Sequence, residues 1–98
     1  MAFQIEEKLR RNGIKILYQN LSPGLRGSVF QKNGQWYIIV NQADSPERKN
    51  FTLAHEYFEI QLYERDDIST DEKHHLANQM ASEYLLPEDT FEEAVHEN

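Results

Sequence analysis

At 98 residues the chain has room for one domain built on a single modest core, and none for a second, regulatory domain. It contains no cysteine, which excludes disulfides and thiolate metal sites, so any transition-metal site must use histidine and carboxylate. Seventeen acidic against ten basic side chains give a net charge of −7, and a phosphate backbone would on average repel such a surface; direct nucleic-acid binding is not expected.

Phe, Tyr, Leu and Ile recur throughout, as a folded chain requires. The apolar runs are short and the start, "MAFQIEEKLRRNG", is charged within its first turns. Both features argue against a signal peptide or a membrane span and predict a cytoplasmic location.

Residues 2–12 read as a helix. Ala2, Ile5 and Leu9 share one narrow apolar face, Phe3 lies off it, and Gly13 can stop the helix because it takes positive φ without steric cost. Lys8, Arg10, Arg11 and Lys15 read as cations offsetting the helix dipole, with a basic binding patch as the alternative. "IKILYQN" (14–20) reads as a strand and "SPG" (22–24) as a break. "GSVFQKNGQWYIIVN" (27–41) reads as a hairpin turning at Asn33-Gly34, a pair suited to a type I′ turn. A three-stranded, mostly antiparallel sheet follows.

The second half reads as helical. Ser45 and Pro46 mark a helix start, with periodicity to about Tyr63; "RDDIS" is a turn. Ser69 and Glu72 form a capping-box pattern for a helix from Thr70 to Leu86, which Pro87 closes. The acidic tail, 88–98, is expected to hold a short helix around Phe91 to Val95. The expectation is a single α+β domain over 1–98: an N-terminal helix, the sheet, and two packed C-terminal helices.

The chemistry sits in "FTLAHEYFE" (51–59), which starts like the HExxH helix of a zinc peptidase but has Glu59 where the second histidine belongs. His55 and Glu59 are one helical turn apart on the side shared with Phe51 and Phe58, the spacing two ligands need to reach one cation. Glu56 lies about 100° round the helix, close enough to hold a water without binding the metal. The competing reading is a buried histidine paired with Glu59. On the next helix the apolar stripe is Ala77, Met80, Ala81, Tyr84 and Leu85; His74 points the same way, whereas His75 aligns with polar Gln79 and Ser82. If the two helices pack antiparallel, His55, Glu59 and His74 gather into two imidazoles and a carboxylate, a catalytic type of zinc site with a fourth place for water. His74 making only a structural hydrogen bond is the alternative.

From the hairpin through "WYIIVNQADSPERKNFTLAHE" to "ANQMASEYLLPED", about residues 27–90, the chain resembles the ImmA/IrrE family of metallopeptidases. The family pattern is a strand ending in I-x-V/I-N, then R-x-x-FTLAHE-x-x-H, and later E-x-x-A-N-x-F-A-x-x-L-L-x-P. Val40-Asn41, Arg48, Phe51 to Glu56, Ala77-Asn78, Ala81 and Leu85-Leu86-Pro87 supply it in order. The resemblance implies a zincin-like domain with His55 as a zinc ligand and Glu56 as general base. The family's second ligand histidine falls on Glu59 and its ligand glutamate on His74, so His and Glu are exchanged while the total stays at two His and one Glu.

The resemblance further implies a domain that hydrolyses a peptide bond in a protein substrate, such as a helix-turn-helix transcriptional repressor. Zinc or another divalent transition metal would be its cofactor. Tyr57 and Tyr84 are candidate oxyanion donors, with packing as the alternative for both. The second reading is an inactive peptidase-fold module that recognises a regulatory protein. Oligomeric state is not readable from the sequence.

Overall fold

Gly13 ends the first helix, α1 (Ala2–Arg11), with φ of +78°. Its N–H donates to the Arg10 carbonyl and the N–H of Ile14 to that of Leu9, both at 3.0 Å. This is a Schellman cap, and it folds buried Ile14 back beside buried Leu9, the apolar contact that usually accompanies the motif. At the same end, Arg10 and Arg11 pair with Glu6 and Glu7 one turn earlier, so two of the four cations of the basic cluster are matched within α1. The computed structural model describes the backbone of residues 2–25 and 27–97 and the side chains of residues 4–25 and 27–85. The side chains of Ala2 and Phe3, and those of the acidic tail, lie outside the described residues.

Three strands follow: β1 (Lys15–Gln19), β2 (Gly27–Lys32) and β3 (Gln35–Asn41). Asn33 and Gly34 have φ of +54° and +79°, the two positive values a type I′ turn demands, and β2 pairs antiparallel with β3. The strand order is β1-β3-β2, and β1 pairs parallel with β3, from Lys15 opposite Tyr37 to Gln19 opposite Asn41. The sheet is therefore mixed, with one antiparallel and one parallel pairing. The segment between β1 and β2 carries the chain past the centre to the far edge, and β3 returns into the gap. A central strand is covered from both sides, and Ile38 and Val40 of β3 are fully buried.

Asn41 ties that crossover down. Its Nδ2 donates to the Leu25 carbonyl at 2.8 Å, while its Oδ1 accepts from the backbone N–H of Ala43 at 3.1 Å and of Leu21 at 3.4 Å. One buried amide thus fixes the loop before β2 and the turn after β3.

Helix α2 (Pro46–Leu62) begins at Ser45, whose Oγ accepts from the Arg48 N–H at 3.2 Å, with Pro46 in the first turn. Helix α3 (Thr70–Glu97) begins at the expected capping box: Ser69 Oγ accepts from the Glu72 N–H and Glu72 Oε1 from the Ser69 N–H, each at 3.1 Å. α2 packs against α1, β2, β3 and α3. Ala54, Ala77 and Ala81 have no exposed surface, and small residues let two helices approach closely. The helix does not stop at Pro87 as expected but runs on to Glu97, carrying a proline that costs an interior helix about 3 kcal/mol.

Asn41→Ala removes the acceptor and donor that three backbone groups use, and is expected to lower unfolding stability by about 1–3 kcal/mol in denaturant titration. An unchanged transition midpoint would show that the clamp contributes nothing.

Candidate metal centre

The site is assembled from two helices. α2 contributes His55, Glu56 and Glu59, and α3 contributes His74 from its second turn. The link 63–69 brings the end of α2 against the start of α3, helped by Lys73 Nζ, which donates to the Tyr63 carbonyl at 2.9 Å.

His55 is buried, with Phe51 stacked beside its ring at 6.4 Å and 22°. Its Nε2 lies 3.2 Å from Glu59 Oε2, and the same oxygen accepts from His74 Nδ1. The two imidazoles meet edge to face, 4.8 Å between centroids. The donor atoms of His55, Glu59 and His74 all lie within 4.8 Å of one another. Ligand atoms of a tetrahedral zinc stand roughly 3.4 Å apart, given bonds of about 2.0–2.2 Å. The His55–Glu59 spacing is close to that value, and the donor set of two imidazoles and a carboxylate suits zinc or a similar divalent ion. These residues therefore fit a metal.

His74 differs from expectation in one respect. It faces the other two residues, but 67% of its side-chain surface is exposed, so it stands at the rim of the site rather than towards the core. Near the open end of the helix pair the neighbour is a cleft, and the stripe becomes buried only at Ala77 and Ala81. His75 is exposed, as its alignment with the polar face predicts.

Burial lowers the His55 pKa, and nearby His74 adds to the effect, while the Glu59 carboxylate opposes it. His55 Nδ1 is buried without a hydrogen-bond partner of good geometry among the described residues, although the neighbouring Asn78 amide still favours the protonated ring slightly. Glu56 is not one of the three converging donors. Burial first, and the charge of Glu59 second, push its pKa up to about 7 against a smaller opposing pull from His74. A carboxyl group with a pKa near neutrality is suited to exchanging a proton with water.

His55, Glu56 and His74 line one cleft of about 310 Å³ together with Gly24, Gly27, Thr52 and Asn78. Sequence reading did not single out Gly27. A Cβ there would come 2.6 Å from the Ile39 carbonyl oxygen and 2.7 Å from Thr52 Cγ2, so glycine is what lets β2 lie against α2 beside the cleft. Asn78 was legible only as part of the family pattern. Tyr57 is buried among core residues beside Phe58, and Tyr84 packs on Phe58; neither lines this cleft, and both serve as packing residues.

Gly27→Ala is expected to cost about 1–3 kcal/mol of stability, since a backbone carbonyl cannot step aside as a side chain does. Thermal unfolding with a melting temperature equal to that of the unmutated chain would contradict this packing.

The family model for the IrrE N-terminal-like domain, a peptidase family, matches residues 9–98. The chain belongs to that family and has its metallopeptidase-like fold. Comparison with curated proteins and with solved structures gives no match. Among the described residues, no helix is long and apolar enough to cross a membrane.

Proposed function

From that membership, we propose that the chain is a metal-dependent, peptidase-like domain that hydrolyses a peptide bond in a protein substrate. The observation that carries this reading is the convergence of His55, Glu59 and His74 within 4.8 Å, beside a half-buried glutamate in the same cleft. His55, Glu59 and His74 would hold zinc or another divalent ion, the direct hydrogen bond from His74 to Glu59 giving way to ligation. A bound ion of this kind supplies Lewis acidity, polarising a carbonyl and lowering the pKa of a water towards ~7. Glu56 takes the proton from the attacking water and passes it to the departing amine. Gly24, on the lining of the cleft, has open space where a side chain would stand, so a peptide backbone has room to approach there. A helix-turn-helix repressor is the substrate class that the family resemblance suggests, and the cytoplasm is the matching location.

Zinc titration of metal-free protein is expected to reach one ion per chain, read by calorimetry and by metal analysis after dialysis. Glu56→Gln should keep that ion while lowering hydrolysis by roughly 10²-fold or more, the usual contribution of a general base. Failure of zinc and of other divalent transition metals to bind would sink the proposal.

The exchange of His and Glu between the two helices has its own consequence. Glu59→His combined with His74→Glu restores the common family arrangement with the same donors, and should still bind one ion. His74→Ala leaves two protein ligands of three and should weaken binding by about tenfold or more. Loss of binding in the double variant alone would show that the positions are not interchangeable.

One observation favours a second reading. Glu59 Oε2 has both imidazoles as partners, so the cluster can satisfy itself without an ion. On that reading the domain is an inactive module that binds a regulatory protein through the same cleft, and partner binding would survive complete metal removal.

A further inference from the structure

The three strands carry only two charged side chains, Lys15 and Lys32, in a chain with seventeen acidic residues. Alternation along the strands puts both lysines on the sheet face turned away from the core. Ile38 and Val40 of β3 point the other way, into the cluster shared with Ile5 and Leu9 of α1 and Leu53 and Ala54 of α2.

That outer face is apolar. The register sets Lys15, Tyr37 and Phe30 in one row across the sheet and Leu17, Ile39 and Ser28 in the next. Phe30 and Tyr37 stack, with 4.9 Å between centroids and 9° between planes. Leu17 and Phe30 are each 37% exposed, and neither they nor Tyr37 and Ile39 pack on the core cluster. "WYIIV" (36–40) is a continuous apolar run, the pattern of a strand buried on both faces; a strand with one wet face alternates. Among the described residues, α1 and α2 cover the inner face, and the crossover loop reaches the outer one only at Asn41.

We propose that this outer sheet face docks a partner protein through one amphipathic helix whose apolar stripe is edged by acidic side chains. The face shares no residue with the cleft lined by His55, Glu56 and His74, so it stands whether or not the domain is a peptidase.

Width and charge fix the partner's chemistry. β3 is paired with a strand at each edge, so this face offers side chains rather than main-chain groups. Three strands about 4.8 Å apart span roughly 10 Å, the width of one helix. Neither lysine has an acidic partner among the described residues. Screening acts over about 8 Å at physiological salt, so the lysines, rather than distant acids, set the field over the face. A second copy docked face to face would bring four lysines together. An anionic lipid surface is broad enough to meet the acids around the face as well, and the net charge of −7 opposes it.

The test titrates the full chain into two fluorescein-labelled, capped helical peptides of about 18 residues and reads anisotropy. Both carry the same leucine stripe at i, i+3, i+4 and i+7; one is edged with glutamate, the other with lysine. The acidic helix should bind saturably and roughly tenfold more tightly than the basic one, and more weakly as salt is raised. Lys15→Glu with Lys32→Glu, both at exposed positions where folding is not at stake, should reverse that preference. Phe30→Ser should weaken both helices about tenfold, through lost apolar burial. Equal binding of the two helices, or of neither, would overturn the proposal. A preference that survives the double reversal would do so too, by placing the helix elsewhere on the chain. Self-association in sedimentation that Phe30→Ser abolishes would assign the face to a second copy instead. Saturable binding to phosphatidylserine vesicles, lost in the same variants, would assign it to lipid.

Discussion

Helix α2 is enclosed by α1, two strands of the sheet and α3, so that Thr52, Leu53, Ala54 and His55 are buried in succession. A surface helix would bury one stripe and leave the residues between to solvent. Here the enclosure holds His55 rigidly and places Glu56, the next residue, in a half-buried cleft rather than in water. Most of what the site offers follows from this. The imidazole is fixed by Phe51 and by the small-residue contact with α3, and the glutamate is kept close to neutrality by lost hydration. The carboxylate of Glu59, one turn on, is carried to the opening between the helices.

That opening concentrates ionisable groups that would separate if they were free to. Two imidazoles and two carboxyl groups share one end of a helix pair, and only Glu59 touches both imidazoles. Burial disfavours charge on His55 and on Glu56 alike, so each moves towards its neutral form. A divalent cation reverses the balance for its ligands, since neutral imidazole and ionised carboxylate are the forms that bind. The cluster is thus hydrogen-bonded as it stands, and the same donors could instead ligate an ion. Under the proposed function, ligation would mark a peptidase and the hydrogen-bonded form a binding module built on the same fold.

Local signals in the sequence were readable because they are set by a few neighbouring residues. Gly13 as a helix stop, Asn33-Gly34 as a type I′ turn, Ser45-Pro46 as a helix start and Ser69 with Glu72 as a capping box all stand in the structure as read. The parallel pairing of β1 was not readable, because nothing within "IKILYQN" says on which side of the hairpin it will lie. That choice is made by the crossover loop and the Asn41 clamp, contacts between residues 16 to 20 positions apart. Pro87 misled for a related reason: local propensity argued for a stop, and the helix nevertheless continues. The exposure of His74 was hidden as well, since helical periodicity gives a direction round the axis and not the depth of the neighbour it faces.

The sequence by itself determined the element types, the helix boundaries at their capped ends, the absence of thiolate chemistry, and the family to which the chain belongs. It also supplied the one-turn spacing of His55 and Glu59, because that distance is a property of any α-helix. Only the tertiary structure decided that His74 reaches the same carboxylate oxygen, that Gly27 lies against α2, and that β3 rather than β2 takes the centre of the sheet. Those are meetings between segments far apart in the chain. They are set by how the helices and sheet close on a shared core, where no short run of residues holds the information.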